Sequence, residues 1–167
     1  MKTIIFENLP STNDYAKKHK FKEDVLIVAK TQSQGRGTKG RSFLSDDGGI
    51  YLSLVRIKPC KARECFKLMI NSAMAVVRTL KAFGVDGKIK WPNDVLVNGK
   101  KICGILIENV FSGDDVEKSV IGIGLNANNE LSDEIKDIAT SMKEVLSEEV
   151  EVKDVLATLA YHRKGPS

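Results

Sequence analysis

The chain has 167 residues, of which 42% are hydrophobic and 29% are charged, a size and balance typical of one domain that buries its own core. No stretch approaches the roughly 20 apolar residues that span a bilayer, and the apolar run in residues 1–7 is interrupted too soon for a secretory signal. We therefore expect neither a membrane span nor a signal peptide. The net charge of +4 suits an anionic substrate or an acidic protein partner, and a solvated surface explains it equally well.

The first half of the chain predicts one short helix and two strands. Ser11, with Asp14 three residues later, resembles a helix-start box that opens a helix through Lys20. Residues 25–29 form a continuous, mostly β-branched apolar run, as expected for a strand that is covered on both faces. Residues 49–57 alternate like a second strand.

The second half adds helices and a strand pair. Residues 62–83 carry apolar side chains at helical spacing, and Gly84 is suited to end that helix. Residues 101–111 and 118–127 predict two adjacent strands, and the tail from Asp133 predicts helix in two pieces. Adjacent strand pairs with helices set apart favour an α+β fold, in which helices pack against a mixed, largely antiparallel sheet.

A glycine-rich basic loop follows the first buried strand. The segment QSQGRGTKGRSF, residues 32–43, combines three glycines with three cations. Glycines let backbone N–H groups approach an oxyanion and guanidinium groups bind it in a bidentate manner, so the loop predicts an anion site. A flexible basic surface loop is the alternative. A dinucleotide-binding turn is disfavoured because no helical pattern follows the glycines.

A second cluster of polar side chains lies in residues 90–104. The KWPND segment, residues 90–94, should end a strand and start a turn, and the dipeptide at residues 98–99, Asn-Gly, predicts a tight type I′ hairpin. The hairpin brings Lys101 back beside Asn93 and Asp94, which places a cation, an amide and a carboxylate together. A solvated hairpin with ordinary surface lysines is the alternative.

The segment IGIGLNAN, residues 121–128, predicts a strand whose glycines allow a ligand or another backbone to come close. Asn126 adds a polar group at its end.

The cysteines and histidines do not form a recognisable site. Cys60, Cys65 and Cys103 are odd in number and lack paired metal-ligand spacing, so we expect reduced thiols, a cytoplasmic protein and no metal site. His19 and His162 lie in no motif, which gives little support to a Ser-His-Asp arrangement.

Taken in chain order from about Ser11 to Met142, these motifs resemble the catalytic domain of biotin protein ligases. The resemblance implies a fold shared with class II aminoacyl-tRNA synthetases and a two-step reaction. Biotin and ATP, the latter with Mg²⁺, give biotinyl-AMP and pyrophosphate. The adenylate then acylates one lysine of a biotin carboxyl carrier protein domain, of the acetyl-CoA carboxylase type.

The resemblance also implies site residues, and activation of a carboxylate beside a triphosphate needs fixed cations and N–H donors. The expected catalytic residues are Arg36, Lys101 and Asp94. The expected biotin contacts are Ser11, Thr12, Asn13, Gln32, Gly35, Arg36, Gly37, Thr38, Lys101, Gly104 and Gly122. The expected ATP and adenylate contacts are Arg36, Lys39, Arg41, Phe43, Asn93 and Asn126.

The sequence departs from the family pattern at two positions. Many relatives have Arg at the position of Thr38 and Trp at the position of Phe43, so we expect weaker retention of the adenylate and the loss of one indole N–H.

Residues 1–167 are expected to form a single catalytic domain. No helix-turn-helix domain is expected before Ser11, and the small β-barrel that ends most family members is expected to be absent or truncated. We therefore expect no DNA partner and no membrane partner, and a homodimer is left open.

Two other functions compete with this one. A lipoate or octanoate ligase is disfavoured because the glycine-rich loop and the Trp91-Pro92 dipeptide resemble the biotin branch. A non-catalytic module that binds biotin or nucleic acid would need no adenylation site, so Arg36, Lys101 and Asn126 argue against it.

Overall fold

The computed structural model describes residues 1–58 and 61–163, so Cys60 lies outside the described residues. The strands are β1 Lys2–Leu9, β2 Val25–Gln32, β3 Ile50–Arg56, β4 Lys88–Lys90, β5 Asp94–Val97, β6 Lys100–Ser112 and β7 Asp115–Leu125. The helices are α1 Thr12–Lys18, α2 Ala62–Ala82, α3 Met142–Leu146 and α4 Val152–His162, with a 3₁₀ turn at Thr38–Gly40. Within this part of the chain, no helix is both long and apolar enough to cross a membrane.

All seven strands of the described residues form one sheet, in the order β1-β2-β3-β7-β6-β5-β4. Only β1 and β2 pair in parallel, and every other neighbouring pair is antiparallel. The predicted mixed, largely antiparallel sheet is therefore confirmed. Strand β1 was not predicted, because it is an edge strand with mostly exposed side chains and lacks a buried apolar run.

Strand β2 is covered on both faces, as its apolar run predicts. Leu26 and Val28 face a core that includes buried residues of α2 and α4, whereas Val25, Ile27 and Ala29 face a second core that includes Ala16 of α1. The sheet is thus a middle layer, with the long helix and α4 on one side and α1 on the other.

Two helix predictions need adjustment. Helix α1 ends at Lys18 instead of Lys20, with Ser11 as its N-cap. The predicted helix from Asp133 is wrong in its start, because residues 133–138 form turns and helix begins only at Met142. The backbone N–H of Met142 donates to the carbonyl of Asn126 at 3.1 Å, which ties this segment to the end of β7.

The hairpin between β5 and β6 is confirmed. Asn98 and Gly99 have φ values of 51° and 79°, the two positive values that a type I′ turn requires. Asp94 opens β5 instead of lying in the preceding turn. The backbone of Lys101 pairs with Leu96, so β6 returns directly along the segment that carries the polar cluster.

Candidate active site

A cleft opens on the α1 side of the sheet, between the first turn of α1, the basic loop and strands β6 and β7. The predicted site residues that line it are Ser11, Thr12, Asn13, Gln32, Arg36, Gly37, Thr38, Phe43, Asn93, Asp94, Lys101, Gly104 and Gly122. The remaining lining residues are Leu52, Ile105, Leu106, Ile123 and Gly124. Residues that are far apart in sequence thus meet around one half-apolar, half-polar space.

The first turn of α1 supplies one polar wall. The Ser11 hydroxyl accepts a hydrogen bond from the backbone N–H of Asp14 at 3.2 Å and so starts the helix. Gln32, at the end of β2, accepts from the backbone N–H of Thr12 at 2.8 Å. Its amide nitrogen donates to the Ser45 hydroxyl at 2.8 Å. These bonds hold the Gln32 side chain against α1 and fix which end of its amide faces which neighbour.

Asn13 is buried beside them, and its amide orientation is determined by its neighbours. Its Nδ2 donates to Glu108 Oε1 at 3.0 Å and to the Leu106 carbonyl at 3.3 Å. Its Oδ1 accepts from the hydroxyl of Ser53, a fully buried side chain on β3. A Cβ at Gly122 would lie 2.5 Å from this Oδ1, so glycine is needed where β7 passes Asn13.

Two paired glycines form a bare patch on the sheet. Gly104 of β6 lies opposite Gly124 of β7, and the Phe43 ring packs onto Gly124, where a Cβ would lie 2.6 Å from the ring. At Gly104 a Cβ would lie 3.1 Å from Cε of Lys101. The absence of side chains at these positions therefore lets the Phe43 ring and the Lys101 side chain lie close to the two strands.

Lys101 and Asp94 are brought together as the sequence predicts. Nζ of Lys101 lies 3.2 Å from Oδ1 of Asp94 and 5.7 Å from the centroid of the Phe43 ring. The Lys101 backbone is anchored on its other side, because its N–H donates to the Ile138 carbonyl at 2.9 Å. Asn93 holds β6 by accepting from the N–H of Ile105 at 2.8 Å.

Arg36 lies in a network of opposite charges. Its Nη2 contacts Oδ1 of Asp14 at 2.5 Å and Oε1 of Glu108 at 2.9 Å. Nζ of Lys17 contacts the other Glu108 oxygen at 2.7 Å. Two cations and two carboxylates thus share the wall between α1, β6 and the basic loop. In this state, much of the hydrogen-bonding capacity of the guanidinium is directed at protein carboxylates.

The network shifts the protonation equilibria of its members. Burial is the largest single influence on Glu108 and acts to raise its pKa, but hydrogen bonds from Lys17, Asn13 and Arg36 outweigh it and leave the pKa below its ordinary value. For Arg36, burial likewise acts to lower the pKa, and the bonds and charges of Glu108 and Asp14 outweigh it and raise the pKa. Both side chains are therefore held in their charged forms.

Four predicted site residues lie outside the lining of the cleft. Gly35 packs against Phe43, whose N–H donates to its carbonyl at 2.8 Å. The side chains of Lys39 and Arg41 are exposed on the loop. Asn126 is buried, and its Nδ2 donates to the Thr140 carbonyl at 3.1 Å.

The structure adds residues that the motifs did not single out. Asp14 was predicted as part of a helix-start box, yet its carboxylate binds Arg36. Glu108 ends an apolar run on β6, and a lone carboxylate in such a run was the available signal. Ser53 gave no clear signal, because a small residue in a strand is compatible with many environments. Gly124 belongs to the segment whose glycines predict a close approach, and the structure shows that the Phe43 ring makes it.

Comparison with known proteins places this cleft in a family. A sequence profile of the Biotin/lipoate A/B protein ligase family matches residues 5–126. The chain belongs to this family. It is 40% identical over 139 residues to the bifunctional ligase/repressor BirA of Bacillus subtilis, a match that covers 80% of this chain and 43% of that protein. The chain thus spans less than half the length of this curated relative.

Solved structures have the same architecture. The biotin protein ligase of Aquifex aeolicus in complex with biotin and ATP superposes with a TM-score of 0.85 at 30% identity, over 98% of this chain and 68% of that one. A bipartite lipoate protein ligase of Thermoplasma acidophilum superposes with a TM-score of 0.67 at 13% identity, over 97% of this chain and 82% of that one. The second likeness concerns the fold alone, so the fold is shared by biotin and lipoate ligases.

Proposed function

We propose that the chain is the catalytic domain of an ATP-dependent biotin protein ligase that forms biotinyl-AMP and transfers biotin to a lysine of a biotin carboxyl carrier protein in the cytoplasm. One observation carries the proposal. The cleft gathers the polar start of α1, Gln32, the basic loop and Lys101 around one space. The 30% identity to a biotin ligase solved with biotin and ATP supports the choice of these two substrates.

In the first step, a biotin carboxylate oxygen attacks the α-phosphorus of ATP and pyrophosphate leaves. Two anions must approach each other, so a fixed cation at the meeting point lowers the barrier. We assign that role to Lys101, which Asp94 holds at 3.2 Å and Gly104 leaves room for. Arg36 adds positive charge at the cleft wall, shared with its two carboxylate partners.

We assign the apolar and polar halves of the cleft to the two ends of biotin. Phe43 and Leu106 line the cleft beside the bare Gly104 and Gly124 and suit an aliphatic chain. Thr12 and Gln32 lie at its polar wall and suit a ring that both donates and accepts hydrogen bonds.

In the second step, the lysine amine of the carrier attacks the acyl carbon of the adenylate, and AMP leaves with the bonding electrons. We propose a direct transfer to the carrier. Cys103 is buried beside the site, and burial raises the pKa of its thiol although Lys101 acts to lower it. A protonated, inaccessible thiol is a poor nucleophile, which favours attack by the carrier lysine itself.

We propose that Mg²⁺ enters as the counter-ion of ATP and screens the charge of the triphosphate. Asp94 is the carboxylate among the residues that line the cleft, and it already pairs with Lys101. Its proposed task is to position that lysine.

Biotin-dependent exchange of labelled pyrophosphate into ATP tests the proposal, with lipoate and octanoate as competing acids. We expect exchange with biotin and none above background with the other two. Exchange driven by lipoate or octanoate would support the alternative ligase, and no exchange with any acid would support a non-catalytic binding module.

A further inference from the structure

Glu108 ties together three segments of the described chain, which are its own strand β6, the basic loop and α1. It lies on β6 and accepts hydrogen bonds from Arg36 of the basic loop at 2.9 Å and from Asn13 and Lys17 of α1 at 3.0 and 2.7 Å. Its side chain is only 20% exposed. Because an ionised carboxylate only accepts hydrogen bonds, all three donors must point toward it.

This constraint extends from Glu108 to the polar wall of the cleft. Because Nδ2 of Asn13 donates to Glu108, its Oδ1 faces Ser53, whose hydroxyl must then donate to it. The Ser53 oxygen lies 2.7 Å from Oγ1 of Thr12. A continuous row of hydrogen bonds thus connects the Glu108 carboxylate to a side chain that lines the cleft.

The charge balance makes this carboxylate difficult to replace. Arg36 and Lys17 face Glu108 and Asp14, two cations against two anions. Without the Glu108 charge, Asp14 alone would balance both cations, and a glutamine amide there could not accept from all three donors. The loop and α1 would then lose their common anchor.

We propose that Glu108 is a positioning residue that fixes the basic loop, through Arg36, and the first turn of α1, through Asn13, against the cleft before any ligand binds. The consequence for biotin rests on the proposed function, whereas the anchoring of the loop does not. The low pKa of Glu108 is consistent with the role, since it keeps the carboxylate ionised at neutral pH.

The test compares Glu108→Gln with the control variant Glu7→Gln. Glu7 lies on the exposed edge strand β1, and its carboxylate pairs with Lys30 at 3.2 Å in the wild type. In the ligand-free protein, we expect Glu108→Gln to raise the rate of tryptic cleavage at Lys39 and Arg41 by at least about fivefold, the factor that corresponds to about 1 kcal/mol of lost anchoring. Glu7→Gln should be cleaved at the wild-type rate. Equal cleavage of both variants would overturn the anchoring of the loop.

The second readout is the split between KM and kcat. Glu108→Gln should raise the KM for biotin by at least about fivefold and change kcat by less than about twofold, because it affects ground-state binding. Glu108→Asp keeps the charge, so its cleavage rate and its KM for biotin should lie between those of the wild type and Glu108→Gln. This variant also tests the proposal if Glu108→Gln fails to fold. A loss confined to kcat, or an aspartate variant no better than glutamine, would contradict positioning. If the wild-type chain proves inactive with biotin, the cleavage result still stands on its own.

Discussion

Lys101 is the single residue on which the proposed chemistry depends most. Its ammonium group pairs with Asp94 at 3.2 Å and lies near the Phe43 ring, and its backbone is fixed on both sides. A cation held this firmly needs no reorganisation when negative charge develops beside it.

We predict that Lys101→Ala lowers the rate of adenylate formation by about a hundred- to a thousandfold, the usual cost of removing one preorganised electrostatic contact, about 3–4 kcal/mol. Lys100→Ala is the matched control, because that neighbouring side chain donates to the exposed carbonyl of Lys136 and does not line the cleft. Single-turnover kinetics with biotin and ATP would measure both. A folded Lys101→Ala variant with near-normal rates would remove this lysine from the mechanism.

At the scale of elements, the cleft depends on how closely β7 and α1 approach each other. The backbone of Gly122 passes Asn13 at a distance that leaves no space for a methyl group. Two residues further along β7, the Phe43 ring likewise leaves no space for a methyl group at Gly124. Glycines in a central strand weaken it slightly, and here they allow the close contacts that shape the site.

We predict that Gly122→Ala weakens biotin binding by at least about tenfold, because the new Cβ would lie 2.5 Å from the Asn13 amide and would displace the row of hydrogen bonds behind Thr12. Isothermal titration with biotin measures the affinity, and far-ultraviolet circular dichroism checks the fold. Gly122→Ala with wild-type affinity would show that Asn13 is free to move without consequence.

The elements that the sequence predicts well are those with a local signal. Strand β2 carries a continuous apolar run, and the hairpin carries the Asn-Gly pair that its turn requires. Strand β1 escapes prediction because an exposed edge strand has neither feature. The Arg36–Glu108 pair joins residues 72 positions apart, and no local pattern encodes such a contact.

At the scale of the whole molecule, the charged network links stability to pH. Glu108 has a folded-state pKa below its ordinary value, so the unfolded chain binds a proton more readily than the folded one. Its contribution to stability is therefore complete above the unfolded pKa of about 4.3 and is lost as the pH falls through the folded pKa. Lys17, Asn13 and Arg36 carry the interaction because they donate to the carboxylate, whereas Asp14 is a second anion that pairs with Arg36.

We predict that Glu108→Gln lowers the free energy of unfolding by about 1 kcal/mol at pH 7, a modest value because the network is partly exposed. The difference from the wild type should shrink as the pH falls below about 4, where the wild-type carboxylate gains its proton. Urea unfolding at pH 7, 5, 4 and 3.5 would measure it. A difference that stays constant down to pH 3.5 would assign the loss to packing.

The proposed reaction joins biotin to AMP in this cleft. Mass spectrometry of the protein mixed with biotin and ATP tests it most directly, because it detects the acyl-adenylate itself. We predict biotinyl-AMP bound at about one molecule per chain, with pyrophosphate released in equal amount and no such product from lipoate. A folded protein that yields no adenylate with biotin, or that yields one only with lipoate, would rule out the proposed reaction.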